Sequence, residues 1–183
     1  SIRGSDPHAA LYYLALMLKG GEEPLFIARR LVILASEDIS NADPRALQVA
    51  LNVKDAVEFV GLPECAINLA QGVTYLATAP KSNRSYVGLK KSQALVEENP
   101  GLEVPLTVRN AQTKMMKGLG YGEDYEYSHD ESGGVGRQNF LPKEIESVKL
   151  YEPTNRGYEK QITAYMQWVR DTLEKRDDKT TFD

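Results

Sequence analysis

PLFIARRLVILASEDI, residues 24–39, is the segment around which the other helices are expected to pack. Proline is favoured in the first turn of a helix, because its missing N–H would have no partner there. After Pro24 the apolar residues recur at the three- and four-residue spacing of a helix. One stripe holds Ile27, Leu31 and Leu34, and the stripe beside it holds Ala28, Val32, Ala35 and Ile39. So broad an apolar face predicts a central helix.

The same start signal recurs at intervals of roughly 20 residues along the first part of the chain. Pro7, Pro44 and Pro63 each open a segment with helical spacing, and Asp6 and Asp43 stand where a side chain can cap the first amides. Together with the central helix they predict four helices, whose short connections favour a compact antiparallel bundle. The residues predicted to face the core are Ala10, Tyr13, Leu14, Met17 and Leu18 in the first helix, Leu47, Ala50, Leu51, Val57 and Val60 in the third, and Ile67, Leu69, Ala70, Val73, Leu76 and Ala77 in the fourth.

The rest of the chain predicts three more helices and one long loop, so the expected fold class is all-α. A fifth helix is predicted over residues 82–98, with Ser82 as its cap, and a sixth over 106–118. Residues 121–140, rich in Gly, Tyr and acidic side chains, predict a loop, whose tyrosines favour packing with a partner surface as the alternative. The last helix, 158–176, is amphipathic. Its apolar side carries Tyr158, Ile162, Tyr165, Met166, Val169 and Leu173, with Trp168 near the edge.

Composition favours an ordinary soluble globular protein. The 183 residues are 42% hydrophobic and 26% charged. The longest apolar run, residues 31–35, is far shorter than the roughly 20 residues that a helix needs to cross a bilayer, so no membrane partner is expected. Cys65 is the single cysteine, which excludes a disulfide within the chain, and the first residues lack the apolar core of a secretory signal. We therefore expect a cytoplasmic fragment of a longer polypeptide.

Charge is distributed unevenly along the chain. The formal net charge is −4, yet residues 80–120 carry seven cations and three acids, whereas residues 121–136 carry five acids and no Lys or Arg. The seven cations could neutralise DNA phosphates, with Tyr86 nearby for stacking on a base. A solvated helix surface is the alternative. The candidate DNA-contact residues are Lys81, Arg84, Lys90, Lys91, Arg109, Lys114 and Lys117.

Motifs for nucleotide, metal or covalent chemistry do not stand out. The phosphate-binding string G-x-x-x-x-G-K-[ST] does not occur, and the glycines of 118–122 and 133–136 lack its lysine. Residues 31–38 imitate a magnesium-binding strand that ends in acids, but they continue the helical spacing from Pro24. His8 and His129 lie far apart without zinc-ligand spacing. We therefore predict no catalytic, cofactor-binding or metal-binding residue in this chain, and we interpret Cys65 as a small semi-buried hydrophobic residue.

Several strings, in order, carry a resemblance to a known family. They are IRGSDP (2–7), AALYYLA (9–15), PLFIARRL (24–31), ASEDI (35–39), APKSN (79–83), VPL (104–106), RNA (109–111), LGYG (119–122), FLP (140–142), YEPT (151–154) and RG (156–157). With them the chain resembles the region after the AAA+ module in the RarA/MgsA family, relatives of the eukaryotic Werner-interacting ATPase. Residues 128–137 depart from the family pattern, which tends to be richer in Pro and aromatic residues there.

The resemblance implies a domain organisation and a set of partners. Residues 1–99 would form a clamp-loader collar-like helical oligomerisation domain, and residues 100–183 a family-specific, mostly helical extension. The AAA+ module, with its ATP and magnesium, would lie upstream of Ser1. Family members look like homotetrameric, DNA-stimulated ATPases that act on gapped or forked DNA and duplex ends. They also associate with single-stranded DNA-binding protein, which implies a nucleoid-associated location.

Three hypotheses about function follow. The leading one is an oligomerisation and DNA- or partner-interaction fragment of a replication-associated ATPase. The alternative is a stand-alone DNA-binding module that uses the basic segment 80–117 without a role in assembly. An independent enzyme has only the loop 121–136 in its favour.

Overall fold

The computed structural model describes residues 1–180, and the side chains of all of these except Ser132 and residues 176–180. Within this range the regular structure is entirely helical, which confirms the predicted all-α class. The α-helices are α1 (Pro7–Lys19), α2 (Pro24–Leu34), α3 (Arg45–Val60), α4 (Cys65–Thr78), α5 (Arg84–Glu98), α6 (Lys114–Gly118) and α7 (Glu159–Thr180).

The chain divides into two compact units. Residues Ser1–Lys91 form the first unit together with Tyr151–Thr163, and residues Ser92–Leu150 form the second with Ala164–Asp183. The late segment Tyr151–Thr163 therefore belongs to the same unit as helices α1 to α4 and the beginning of α5. The domain boundary that the sequence suggests after residue 99 stays a prediction.

Helix starts and ends follow the capping chemistry that the sequence indicates. The Asp6 carboxylate accepts a hydrogen bond from the Ala9 N–H at 2.9 Å, and the Glu23 carboxylate accepts from the amide of Phe26 at 2.8 Å. Beyond α1 the chain turns at Gly21, which has a φ of 84°. There the Gly21 N–H donates to the Leu18 carbonyl and the next amide donates to an earlier one, the hydrogen-bond pair of a Schellman cap.

The core of the first unit lies among α1, α2, α3 and α4. Helix α2 packs against α3 and α4, and α1 packs against α4, so the central position expected for α2 is observed. Cys65 is fully buried at the start of α4. The buried apolar residues are Ala10, Leu14, Ile27, Ala28, Leu31, Ala35, Ile39, Ala46, Ala50, Val53, Val57, Cys65, Leu69, Val73, Leu76, Ala77 and Ala79.

Six residues that the sequence assigned to the core are exposed, so that part of the prediction is wrong. They are Tyr13, Met17, Leu47, Leu51, Val60 and Ile67. In α3 the stripe that faces inward is built from small side chains, which lets α4 approach closely. At Gly72 of α4 a Cβ atom would stand 2.9 Å from Cγ2 of Val53, so glycine is required for that approach. Large apolar residues are thereby left on the outer face.

The stretch 31–38 is helical, as its spacing predicts, and does not form a magnesium-binding strand. Helix α2 continues as a π-turn over Ala35–Ile39, followed by a 3-10 turn over Ser40–Ala42. The Asp38 carboxylate pairs with Arg3, whose Nε lies 2.6 Å from Oδ1. This ion pair therefore holds the first residues of the chain against the acidic end of the helix.

The second unit contains less helix than the sequence suggests. The predicted helix over 106–118 is wrong, because only a 3-10 turn (Leu106–Val108) and α6 form there. Between them Arg109 donates hydrogen bonds to the Val104 carbonyl at 2.6 Å and to the Tyr121 hydroxyl at 3.2 Å, which holds the backbone out of helical geometry. Residues 121–140 contain only turns and short 3-10 segments, as predicted.

A buried carboxylate joins three distant parts of the first unit. Glu159, in the first turn of α7, is 0% exposed. Its Oε2 accepts hydrogen bonds from the Thr154 amide at 2.7 Å and from the Thr154 hydroxyl at 2.6 Å, while the Tyr151 hydroxyl donates to Oε1 at 3.1 Å. Ser82, which precedes α5, also hydrogen-bonds this carboxylate. The Asn41 side chain extends the network by donating to the Tyr151 hydroxyl at 3.2 Å.

The same segment meets the bundle at a glycine. Gly157 has a φ of 51°, and a Cβ atom there would stand 2.0 Å from the Ala42 carbonyl oxygen and 2.7 Å from Cγ of Pro80. The adjacent Tyr158 N–H donates to the Ala42 carbonyl at 2.8 Å. Any side chain at residue 157 would therefore separate this segment from the helical core.

We expect Leu69→Ala to destabilise the first unit by about 3 kcal/mol, because a buried leucine leaves a cavity when it is truncated. The matched variant is Ile67→Ala on the same helix, where the side chain is 73% exposed. That change should cost less than about 0.5 kcal/mol. Urea denaturation followed by circular dichroism measures both, and equal losses would contradict the burial pattern of α4.

We expect Glu159→Gln to cost about 1.5–3 kcal/mol at neutral pH, since hydrogen bonds to a charged group are lost. Burial alone would raise the pKa of Glu159, but the hydrogen bonds from Thr154, Ser82 and Tyr151 together outweigh it and hold the pKa below its ordinary value. The carboxylate therefore stabilises the fold above its unfolded pKa, near 4.3, and that stability is lost as the pH falls through the folded pKa.

The measurement is urea denaturation of wild type and variant between pH 7 and 3. The difference in unfolding free energy should shrink below about pH 4. Burial would also raise the pKa of Asp43, but interactions with Tyr75 and Arg45 together lower it. Only the difference between the two proteins is therefore informative. A difference that stays constant down to pH 3 would contradict a lowered pKa for Glu159 in the folded protein.

Candidate assembly and nucleic-acid surfaces

Lys81 has a structural task in the first unit. Its ammonium donates to the carbonyls of Ala79 at 2.6 Å and Ala77 at 3.0 Å, and to the Ser5 hydroxyl at 3.1 Å. Burial lowers the pKa of Lys81, against the attraction of Asp38. The side chain thus satisfies the last carbonyls of α4, which have no partner within the helix.

Helix α5 carries three of the candidate DNA-contact residues on two faces. Arg84 and Lys91 are seven residues apart and share one face, where Lys91 forms an exposed ion pair with Glu152 at 3.0 Å. Lys90 lies on another face, with its ammonium 5.8 Å from the centre of the Tyr86 ring. Such an exposed pair contributes little to stability, so Lys91 can exchange Glu152 for a phosphate at small cost.

The remaining candidates belong to the second unit. Arg109 is held by the Glu103 carboxylate and lies over the Tyr121 ring at 5.2 Å, and these contacts raise its pKa. Its role is therefore to shape the loop rather than to offer a free charge. Lys114 and Lys117 are exposed one turn apart on α6. The seven candidates thus fall into a pair on α5, a pair on α6, one lysine beside Tyr86, and two side chains with structural contacts.

An apolar groove runs between α1 and α2. Tyr13, Met17, Phe26 and Ile33 contribute to its lining and are 40% to 52% exposed. Arg30, which is exposed, lines the same groove, as does Glu37, whose nearest cation is Arg3 at 3.8 Å. The groove therefore offers large apolar side chains together with both signs of charge.

Sequence reasoning missed this groove because it placed Tyr13 and Met17 in the core. The signal was present in α2 all the same. Phe26 and Ile33 lie outside the two core-facing stripes, so α2 is apolar around most of its circumference. An apolar helix face that its own bundle leaves uncovered marks a contact surface, and the bundle covers only part of the apolar circumference of α2.

Other kinds of site find no support in the part of the chain that the structure describes. No group of three or more His, Cys, Asp or Glu side chains is placed to hold a metal ion there. No helix of residues 1–180 is long and apolar enough to cross a membrane. The candidate surfaces are thus the groove and the exposed cations of α5 and α6.

The chain is similar to one protein family model and to several known proteins. A family model described as MgsA AAA+ ATPase C terminal matches residues 4–170. Replication-associated recombination protein A of Coxiella burnetii is 46% identical over 100% of the chain and 41% of its own length. The protein of the same name from Escherichia coli K12 is 45% identical over 92% of the chain and 38% of its length. ATPase WRNIP1 of Dictyostelium discoideum is 46% identical over 83% of the chain and 18% of its length.

The chain thus spans less than half the length of these relatives. The family match covers all the helices of the first unit and most of the second. The helical structure of residues 1–180 is consistent with the C-terminal helical domain of an AAA+ ATPase. The chain belongs to the MgsA AAA+ ATPase C-terminal family and is similar to that region of the replication-associated recombination proteins.

Proposed function

We propose that this chain is the oligomerisation and DNA- or partner-interaction region of a DNA-dependent AAA+ ATPase that acts in replication fork maintenance, recombination and repair. The observation that carries the proposal is the exposed apolar groove between α1 and α2 in a chain of this family. ATP and magnesium would act in an AAA+ module elsewhere in the full-length protein. Single-stranded DNA-binding protein would be a further partner, in a cytoplasmic, nucleoid-associated setting.

Assembly is proposed to use the groove, with a second copy of this chain as its occupant. Exposed apolar patches of this kind mark interaction surfaces, and aromatic and Met side chains are enriched in interface cores. Arg30 and Glu37 line the same groove. In a two-fold arrangement each patch meets its own copy, so Arg30 of one copy can face Glu37 of the other. Two such pairs would make the homotetramer.

DNA contact is proposed to use Arg84 and Lys91 on α5, together with Lys114 and Lys117 on α6. Each pair can neutralise only a few phosphates, which gives weak binding by itself. A tetramer repeats every pair four times, so that weak contacts add through the high effective concentration of linked sites. Assembly and DNA binding would then depend on each other. Gapped or forked DNA and duplex ends are the proposed substrates.

We expect a Phe26→Ser, Ile33→Ser double variant to weaken assembly by about tenfold or more, because central apolar anchors each contribute about 1–2 kcal/mol. Light scattering behind a sizing column, across a micromolar concentration series, measures the mass. Phe59→Ser is the matched control, since this side chain is 92% exposed on α3 outside the groove. A wild-type monomer, or a double variant that stays tetrameric, would contradict assembly through the groove.

We expect an Arg84→Gln, Lys91→Gln variant to bind gapped duplex DNA about tenfold more weakly at low salt. The dependence of binding on salt should also fall, by about 0.9 for each phosphate contact that is lost. Fluorescence anisotropy measures the affinity at several salt concentrations. A Lys19→Gln, Lys149→Gln variant removes the same charge from exposed positions elsewhere. Equal binding by the two variants would exclude the α5 face.

The alternative, a DNA-binding module without a role in assembly, has its own signature. The Phe26→Ser, Ile33→Ser variant would then bind DNA as tightly as the wild type. Under the leading proposal its affinity falls with its mass, because avidity is lost. The same anisotropy assay separates the two.

A further inference from the structure

Two aromatic rings stack on the outside of α7 in the second unit. Tyr165 and Trp168 have ring centres 5.6 Å apart and an angle of 28° between their planes. They are 59% and 44% exposed. Stacked rings that are open to solvent keep an outer π-face exposed, and such a face attracts a cation electrostatically. We call these two rings, with the turn 128–134 beside them, the α7 aromatic surface.

The turn holds Trp168 in a fixed place. Gly133 has a φ of 77°, and a Cβ atom there would stand 2.8 Å from Cη2 of Trp168, so the indole lies directly on the backbone. The turn is closed by hydrogen bonds from the Asp130 amide to the Tyr127 carbonyl and from the Gly134 amide to the Glu131 carbonyl, each 2.9 Å long. A preorganised ring loses little freedom when a partner binds.

The charge around this surface is negative. The turn belongs to residues 121–136, which carry five acids and no Lys or Arg. Asp130 is exposed in it, and on α7 Asp171 lies one turn beyond Trp168 and accepts a hydrogen bond from Gln167 at 2.6 Å. Lys175 is the cation on the same side of the helix, two turns beyond Trp168. Such a field repels the phosphates of a nucleic acid, although exposed aromatic rings could otherwise stack on bases.

We propose that the α7 aromatic surface binds a cationic peptide segment of a partner protein by seating an arginine side chain on the Tyr165–Trp168 ring pair. A guanidinium is planar and weakly hydrated, so it stacks on an aromatic face more readily than an ammonium does. The exposed Asp130 carboxylate of the turn then faces a further cation of the same segment. This site is separate from the groove of α1 and α2 and from the basic pairs of α5 and α6.

Trp168 is the single tryptophan of the chain and reports binding directly. The probe is a ten-residue peptide that alternates arginine and glycine, titrated at physiological salt so that long-range attraction is screened. Its matched control replaces each arginine with citrulline, which keeps the shape and removes the charge. We expect a saturable change in tryptophan emission, with binding at least about tenfold tighter for the arginine peptide.

Variants locate the site while Trp168 remains in place. Tyr165→Ala should weaken binding of the arginine peptide about fivefold to tenfold, and Asp130→Asn about threefold. Tyr12→Ala, which removes an exposed tyrosine from α1, should leave it unchanged. Circular dichroism confirms that each variant is folded.

Four outcomes would overturn the proposal. The first is an unchanged emission at millimolar arginine peptide, and the second is equal binding of the citrulline peptide. The third is equal affinity in the Tyr165→Ala and Tyr12→Ala variants. The fourth is an oligothymidylate that changes Trp168 emission and binds more weakly to the Tyr165→Ala variant, because the rings would then bind nucleic acid.

Discussion

The hydrogen bonds to the buried carboxylate of Glu159 hold the late segment 151–163 against the rest of the first unit. It is fully buried, and its charge is stabilised by donors from Thr154, Tyr151 and Ser82. A buried charge of this kind is tolerated only when its hydrogen bonds are complete. The donors come from a late segment and from the start of α5, so one side chain fixes where α7 begins and how α5 leaves the bundle. The positions of Arg84 and Lys91 on α5 therefore depend on these hydrogen bonds.

The bundle places small side chains between its helices and large ones outside. Ala46, Ala50 and Gly72 permit close contact between α3 and α4, whereas Tyr13, Phe26 and Ile33 are left in solvent. A monomer gains nothing from this arrangement, because apolar area on its surface stays hydrated. The arrangement agrees with a region that contributes an adhesive face to a larger assembly. The same distribution of side-chain sizes thus produces both the close packing of the core and the exposed apolar residues of the proposed interface.

Sequence reasoning predicted the elements well where the signals are local. Pro24 and its apolar stripes gave the central helix, Asp6 gave a cap, and the start of the last helix was placed within one residue of Glu159. The prediction of core residues failed in α3, where the inward face is chosen by side-chain size as well as by helical spacing. Leu47 and Leu51 are exposed, and alanine and valine side chains occupy the core instead.

The roles of the charged residues could not be predicted from the sequence. Lys81 and Arg109 belong to the basic segment by composition, yet both are used by backbone carbonyls and nearby side chains. The burial of Glu159 was not predicted, because a single glutamate at the start of an amphipathic helix is ordinarily exposed and one of its partners, Ser82, lies far away in the chain. Such networks depend on the tertiary fold, which spacing does not encode. The domain boundary and the DNA-contact residues accordingly stay predictions.

The first unit is discontinuous, since residues 151–163 complete what residues 1–91 begin. A ribosome makes the chain from its amino end, so the four core helices emerge long before Glu159 and Gly157 can reach them. Until then Ser82 and the Ala42 carbonyl lack these partners, while residues Ser92–Leu150 of the second unit are synthesised. The first unit can therefore be completed only after the ribosome has passed residue 163. A prematurely terminated chain would bring an incomplete first unit into any assembly that it joined.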